Sequence, residues 1–577
     1  MILSFNGSKL KHLNYPLTLL LLMTTIYHLT HASSWAEHTL AQLSRRQKIG
    51  QCLMVGALST ENQSEFSESL ASMLVKTPYH LTQSDVESYI RDYQVGGVIF
   101  LFKSTPERHV ALTNHFQHMS ELPLLIALDA EWGVNMRLDN TVRYPRAMTL
   151  GALHDETVCY EIGRQIGIEC ATLGIHINFA PVVDVNSNPA NPVIHDRSFG
   201  QDAEKVARCA ILFMYGLQSA GVMACAKHFP GHGDTDIDSH IALPYLKHTR
   251  EQLHEIELYP FKQLIAHGVD AVMLAHLLVP ALTHDVTPTS LSYKVVTQLL
   301  KHELNFGGLV ITDGLGMEAV RADRELGQPE LEAFLAGHDI ILLPVDVPAA
   351  VARIEKALID ELISEQELDK RVLKILRAKE KAGLHQHRLV DWQQAEKIIN
   401  DPAAAQLADT AFSRAITIVK NENNLLPITP ESAPHTLIVT VGTASDPFKN
   451  VAPCCALGAH PSSTELAALA TAADKYEQII FAIAHMNKFI AHNFGIDPTI
   501  IDAMRAIKNT GKRTAVILFG TPYALSLVPE HDALMIAFED VPATLNASAQ
   551  TLVGLHHACG KLPVSVDSYP AGFGLTL

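Results

Sequence analysis

Residues Gly221–His240 read "GVMACAKHFPGHGDTDIDSH". An apolar run with strand character ends in the adjacent pair Lys227 and His228, then breaks into a loop punctuated by Pro230, Gly231 and Gly233. The same theme, an apolar run followed by a polar or glycine-containing turn and a longer helical pattern, recurs along the first two thirds of the chain. The other runs are "QCLMVGA" at Gln51, "GGVIFLF" at Gly96, "PLLIALDAE" at Pro123, "HINFAPVVD" at His176, "DAVMLAH" at Asp270, "GLVITDG" at Gly308 and "DIILLPVD" at Asp339. Eight continuous apolar runs alternating with helices predict a parallel (β/α)8 barrel, because strands covered on both faces have no polar side to display.

Around His385–Pro402, "HQHRLVDWQQAEKIINDP", the alternation lapses. It resumes with "HTLIVTVG" at His435, "QIIFAIAH" at Gln478, "TAVILFG" at Thr514 and "ALMIAFED" at Ala533, which predicts a smaller α/β sandwich domain with a mostly parallel sheet. The expected organisation is a signal segment over 1–33, the catalytic barrel over 34–385, a linker over 386–408 and the second domain over 409–577.

The signal segment is read from Lys9 and Lys11 ahead of Leu17–Tyr27, "LTLLLLMTTIY", with small residues at Ala32, Ser33 and Ser34. The apolar run is shorter than the roughly 20 residues of a spanning helix. Export to the periplasm or medium is therefore expected, with membrane anchoring if the segment is not cleaved. A net charge of −17 over 577 residues argues against a nucleic-acid partner, which needs clustered cations. Of the eight cysteines, Cys52 and Cys225 fall in apolar runs expected to bury them; adjacent Cys454 and Cys455 are open to oxidation in an exporting compartment. Oligomeric state is not legible.

Asp129, Asp184, Lys227, His228, His276 and Asp313 all fall at the carboxyl ends of barrel runs, where such barrels build their sites. The loop from Lys227 to His240 holds three histidines and three aspartates. Three readings of it stand: a metal site through His228, His232 and His240, a plain solvated loop, or a proton-transfer site. The spacing is not the helical pairing of zinc hydrolases. In the third reading Asp238 and His240, two apart, meet across a tight turn, and the carboxylate favours the charged imidazole. Asp313, followed by Gly314, is the candidate nucleophile. Carboxylate and proton donor together are the machinery of retaining glycoside hydrolysis, with histidine in place of the second carboxyl.

With "KIGQCLMVG" at Lys48, "ALDAEWGVNMRL" at Ala127, "NFAPVVDV" at Asn178, "DRSFG" at Asp196, the His-Asp loop and "ITDGLGM" at Ile311, the chain resembles the two-domain β-N-acetylhexosaminidases of glycoside hydrolase family 3. The likeness extends to "AITIVKNENNLLPI" at Ala415 and "GKLPVSVD" at Gly560. It implies Asp313 as nucleophile, His240 as acid-base, Asp238 as its orienting partner, and Asp129, Arg137, Arg197, Lys227 and His228 as sugar-binding residues. It implies a carbohydrate substrate with terminal GlcNAc, from peptidoglycan fragments or chitin-type oligosaccharides, and no cofactor. Related glucosaminidases read Asp-x-Glu-Gly-Gly where this chain has "DAEWG"; Trp132 then either narrows the pocket or offers a stacking face. Phosphorolysis on the same site and a catalytically idle carbohydrate-binding protein are the alternatives.

Overall fold

A computed structural model describes residues 34–58, 82–235, 243–321 and 324–576. The proposed signal segment lies outside the described residues. Each of the eight apolar runs forms a strand: β1 (Leu53–Leu58), β2 (Gly97–Leu101), β3 (Leu125–Leu128), β4 (Ile177–Asn178), β5 (Met223–Phe229), β6 (Ala271–Leu274), β7 (Leu309–Thr312) and β8 (Ile341–Leu342). They make one parallel sheet in the order β7-β6-β5-β4-β3-β2-β1-β8. Parallel pairing of Ile311 with Ile340, just ahead of β8, brings the two ends together as a barrel. Helices such as Pro106–Met119, Val158–Thr172 and Ala203–Ser219 cover the outside, so both faces of the strands are buried.

The closing seam carries a charge. Asp339, fully buried at the entry to β8, accepts from Val310 N on β7 at 2.9 Å and from Lys374 Nζ at 2.6 Å, with Lys301 Nζ at 3.5 Å. Burial pushes this carboxyl up, but the two lysines outweigh it and hold it below the ordinary aspartate value.

The second domain is a six-stranded sheet of β9 (Thr417–Asn421), β10 (Thr436–Val441), β11 (Cys454–Leu457), β12 (Gln478–Ile483), β13 (Arg513–Leu518) and β14 (Ala533–Ile536), in the order β11-β10-β12-β13-β14-β9. All neighbours run parallel except β9, which pairs antiparallel with β14. The sequence pattern shows four of these strands and misses two. β9 directly follows helix Pro402–Ala415 with no turn signal between them, and β11 is a short, half-exposed edge strand of four residues, "CCAL". The segment expected as linker carries helix Trp392–Ile398 and the start of Pro402–Ala415, whose Ala404, Ala408 and Phe412 are buried. All eight cysteines are free thiols, and Cys52 and Cys225 are fully buried as expected.

The domains meet through buried polar contacts. Glu539, in the loop after β14, accepts from Arg143 Nη2 at 2.7 Å, Arg146 N at 2.9 Å and Thr149 Oγ1 at 2.7 Å, all in the barrel's segment after β3. Asn186 Nδ2 donates to the Tyr523 hydroxyl at 2.7 Å. At Gly200 (φ 144°) any Cβ would stand 2.4 Å from the Pro563 carbonyl, so backbone meets backbone there.

Asp339→Ala would leave two lysines around an empty seam, and urea unfolding should report a loss of about 3–5 kcal/mol. Because the folded pKa of Asp339 lies below the unfolded one, its stabilisation is present above about pH 4 and is lost as the pH falls through the folded value. The gap between wild type and Asp339→Asn should close over that same acid range.

Candidate active site

The site begins with a buried ammonium. Lys227, inside β5, is 2% exposed, and its Nζ lies 2.8 Å from Asp129 Oδ1 and 2.9 Å from Glu131 Oε1. A lone buried cation is prohibitively costly, so the partners are obligatory. β3 ends at Leu128 and hands Asp129 and Glu131 to the carboxyl face, while β5 carries Lys227 to the same level.

Two guanidinium groups complete the cluster. Arg137 Nη2 donates to Asp129 Oδ2 at 2.9 Å. Arg197 grips Glu131 with both arms, Nε to Oε2 at 2.9 Å and Nη2 to Oε1 at 2.7 Å, the bidentate geometry that suits a guanidinium. Burial raises both carboxyls, but the cations prevail: Lys227 and Arg137 hold Asp129 at about 2, and Arg197 and Lys227 hold Glu131 well below the usual range. Both are ionised at any working pH.

His228 is fixed by what surrounds it. Arg197 Nη2 approaches His228 Nε2 at 3.3 Å, and a guanidinium has no acceptor, so Nε2 accepts. Nδ1 then carries the proton and donates to Asp184 Oδ2 at 2.7 Å. Fully buried Asp184 also accepts from the backbone N–H groups of His228 at 3.2 Å and His232 at 2.7 Å. Burial opposes its ionisation, yet the two histidines and these hydrogen bonds lower its pKa.

The loop that follows is pinned at its root. Asn191 Nδ2 donates to the carbonyls of His232 and Gly233, and His232 Nδ1 is 2.8 Å from Thr235 Oγ1. A Cβ at Gly233 would lie 1.7 Å from the Val185 carbonyl, so only glycine passes there. Asp234 meets His248 at 2.8 Å. Asp238 and His240, expected to form the acid-base dyad, lie outside the described residues, as does Asp236. His228 has protein partners at both ring nitrogens, and among the described residues no group of three His, Cys, Asp or Glu is arranged to hold a metal ion.

Asp313 stands one residue past β7, half-buried, with its N–H on the Leu274 carbonyl at 2.9 Å and its Oδ1 accepting from Gly314 N at 2.8 Å. The next carbonyl, Gly314 O, accepts from His276 Nε2 at 3.1 Å, and His276 Nδ1 is paired with Ser290 Oγ at 2.6 Å. His276 thus holds the chain beside Asp313. Lys227 near the end of β5 and Asp313 just past β7 leave parallel strands at their carboxyl ends, on the same face of the barrel as Asp129 after β3.

Among the residues singled out from sequence, Asp129, Arg137, Arg197, Lys227 and His228 form one connected network. Glu131 and Asp184 are its unassigned members. Each follows a barrel strand, and Glu131 sits two residues after Asp129 in "DAE", which was the available signal. Trp132, expected either to narrow the pocket or to offer a stacking face, has the Arg146 guanidinium 4.1 Å over its ring, and Arg146 in turn binds Asp196 at 2.8 Å. That cation–π contact occupies one face of the ring.

Comparison with known proteins agrees with this arrangement. Residues 44–378 match the glycosyl hydrolase family 3 N terminal domain. The chain is 32% identical over 426 residues to a beta-hexosaminidase A of Pseudoalteromonas piscicida, covering 68% of this chain and 70% of that protein. It is 34% identical over 272 residues to a beta-hexosaminidase of Methylobacillus flagellatus, covering 46% of this chain and 77% of that one. The solved structure of a family 3 beta-N-acetylglucosaminidase from Paenibacillus superposes with a TM-score of 0.75 at 31% identity, over 90% of this chain and 98% of that one. A match running from the first barrel helices to the last, with the charged network at the barrel's carboxyl face, makes this chain a glycoside hydrolase of family 3.

Proposed function

We propose that this chain is a retaining exo-β-N-acetylglucosaminidase, which removes a terminal GlcNAc through a covalent glycosyl-enzyme. The observation that carries the reading is the network of Asp129, Glu131, Lys227, Arg197 and His228 on the same barrel face as Asp313. Its members are fixed by one another before substrate arrives. Asp129, Arg137 and Arg197 keep 21%, 24% and 19% of their side chains exposed, so they are members able to meet sugar hydroxyls. The likeness to the beta-hexosaminidases and to the Paenibacillus beta-N-acetylglucosaminidase supports GlcNAc as the sugar.

In the proposed chemistry, an Asp313 carboxylate oxygen attacks the anomeric carbon while protonated His240 gives its proton to the departing glycosidic oxygen. His240, now neutral and oriented by Asp238, takes a proton from water, whose oxygen attacks the same carbon and releases Asp313. Both steps invert the centre, so the net outcome is retention.

Asp313→Asn should lower kcat on p-nitrophenyl β-GlcNAc by at least about 1,000-fold while circular dichroism and melting stay those of the wild type. Wild-type turnover in that variant would remove Asp313 from the mechanism, and no turnover by the wild type would favour the idle carbohydrate-binding protein. His240→Ala should slow substrates with poor leaving groups far more than aryl glycosides, since only the former need the proton. Added phosphate should not accelerate the reaction, and appearance of GlcNAc 1-phosphate would replace hydrolysis by phosphorolysis.

Export is proposed from the basic and apolar order of residues 9–34. Among the described residues no helix is long and apolar enough to cross a membrane. N-terminal sequencing of native protein should begin near Ser33; an intact Met1 on cytoplasmic protein would overturn it.

A further inference from the structure

The barrel and the second domain present matching ends to each other. The loops after β12, β13 and β14 leave the carboxyl edge of the second sheet, and they face the loops after β3 and β4 at the carboxyl face of the barrel. Both are the ends at which parallel α/β structures bind ligands. Between them lies a cavity of about 490 Å³, within the range of small-molecule sites. It adjoins the sugar network: Asp196 lines the cavity, and its chain neighbour Arg197 grips Glu131.

We propose that this cavity is the aglycone subsite, and that it takes a neutral sugar, the next GlcNAc of a chitin-type chain, in preference to a carboxylate-bearing muramyl residue. The inference rests on the glucosaminidase reading and adds the part of the substrate beyond the scissile bond.

Charge is the first argument. Three cations line the cavity, Arg143, Arg146 and Lys488, against three carboxylates, Asp196, Glu539 and Asp540. Arg143 is paired with Glu539 at 2.7 Å and Arg146 with Asp196 at 2.8 Å. Burial holds His195, also in the wall, at about 4, so it adds no charge at neutral pH. A carboxylate entering here would meet no net positive charge to offset its desolvation. A neutral sugar incurs no such penalty.

Surface chemistry is the second argument. Met486 and Phe489 on the loop after β12 and Phe538 after β14 stand in the wall, with Asn487 and Thr521 among them. Phe489 is 43% exposed. Apolar faces interleaved with amide and hydroxyl groups suit a pyranose, which has C–H faces and hydroxyl edges. Backbone strain is the third. His485 (φ 58°) and Phe538 (φ 64°), non-glycine residues in the left-handed region, sit on two of the three second-domain loops of the cavity, those after β12 and β14. Such strain collects at ligand sites, where surrounding structure holds it.

The test compares kcat/KM for N,N′-diacetylchitobiose and for the disaccharide GlcNAc-β-1,4-MurNAc, in the full chain and in Phe489→Ala and Phe489→Trp. The inference expects chitobiose to be preferred by at least about 10-fold in the wild type. Phe489→Ala should cut chitobiose kcat/KM by about 5- to 10-fold and Phe489→Trp should restore it. The inhibition constant of free GlcNAc, which fills only the Asp129 pocket, should move less than about twofold. A muramyl disaccharide turned over as well as chitobiose, or a Phe489→Ala variant with intact chitobiose turnover, would overturn the inference while leaving the glucosaminidase reading in place. Failure of the wild type to hydrolyse p-nitrophenyl β-GlcNAc would overturn both.

Discussion

The ammonium of Lys227 is the constraint on which the rest of the site depends. Placed inside β5 and almost fully buried, it cannot exist charged without immediate partners, and Asp129 and Glu131 answer it from the end of β3. Two carboxylates on one ammonium leave a net negative charge, Arg137 and Arg197 turn it net positive from the outside, and the Asp184 carboxylate nearby offsets the excess. Arg197 then reaches His228, sets its tautomer and passes the constraint to Asp184. Removing one partner from such a network typically costs about 3–5 kcal/mol, since the remaining charge stays buried. The benefit is a polar surface whose donors and acceptors are already in place, so substrate binding does not have to reorganise them.

The barrel makes this possible because parallel strands all deliver their carboxyl ends to one face. Asp129, Lys227, His276 and Asp313 come from four strands separated by as many as 184 residues of sequence, yet lie on one rim. The second domain contributes from the opposite side. Its Glu539 plugs into Arg143, Arg146 and Thr149, and that anchoring sets the width of the cavity into which the loop after β12 projects.

Much of this was legible in the sequence, and for physical reasons. The eight barrel strands are buried on both faces, so their apolar runs are continuous and stand out. Asp129, Lys227, His228 and Asp313 interrupt or end such runs, where a charge is conspicuous. Glu131 was harder to place because its role depends on spatial partners: it looks like any loop carboxylate until Lys227 and Arg197 arrive from β5 and from the loop after β4. β9 and β11 escaped for a different reason, since one has no turn ahead of it and the other is a half-exposed edge. The contact over the Trp132 ring could not be read from sequence, because Arg146, which makes it, belongs to a separate turn held by Glu539.

The central claim is that this charged network holds the sugar for attack by Asp313, and covalent trapping tests it most directly. A 5-fluoro GlcNAc fluoride, whose ring fluorine slows both steps while fluoride leaves readily, should accumulate one glycosyl group per chain in the intact mass spectrum. Peptide mapping should place it on Asp313. A label on Asp129 or Glu131, or turnover of the reagent with no adduct at any residue, would contradict the account.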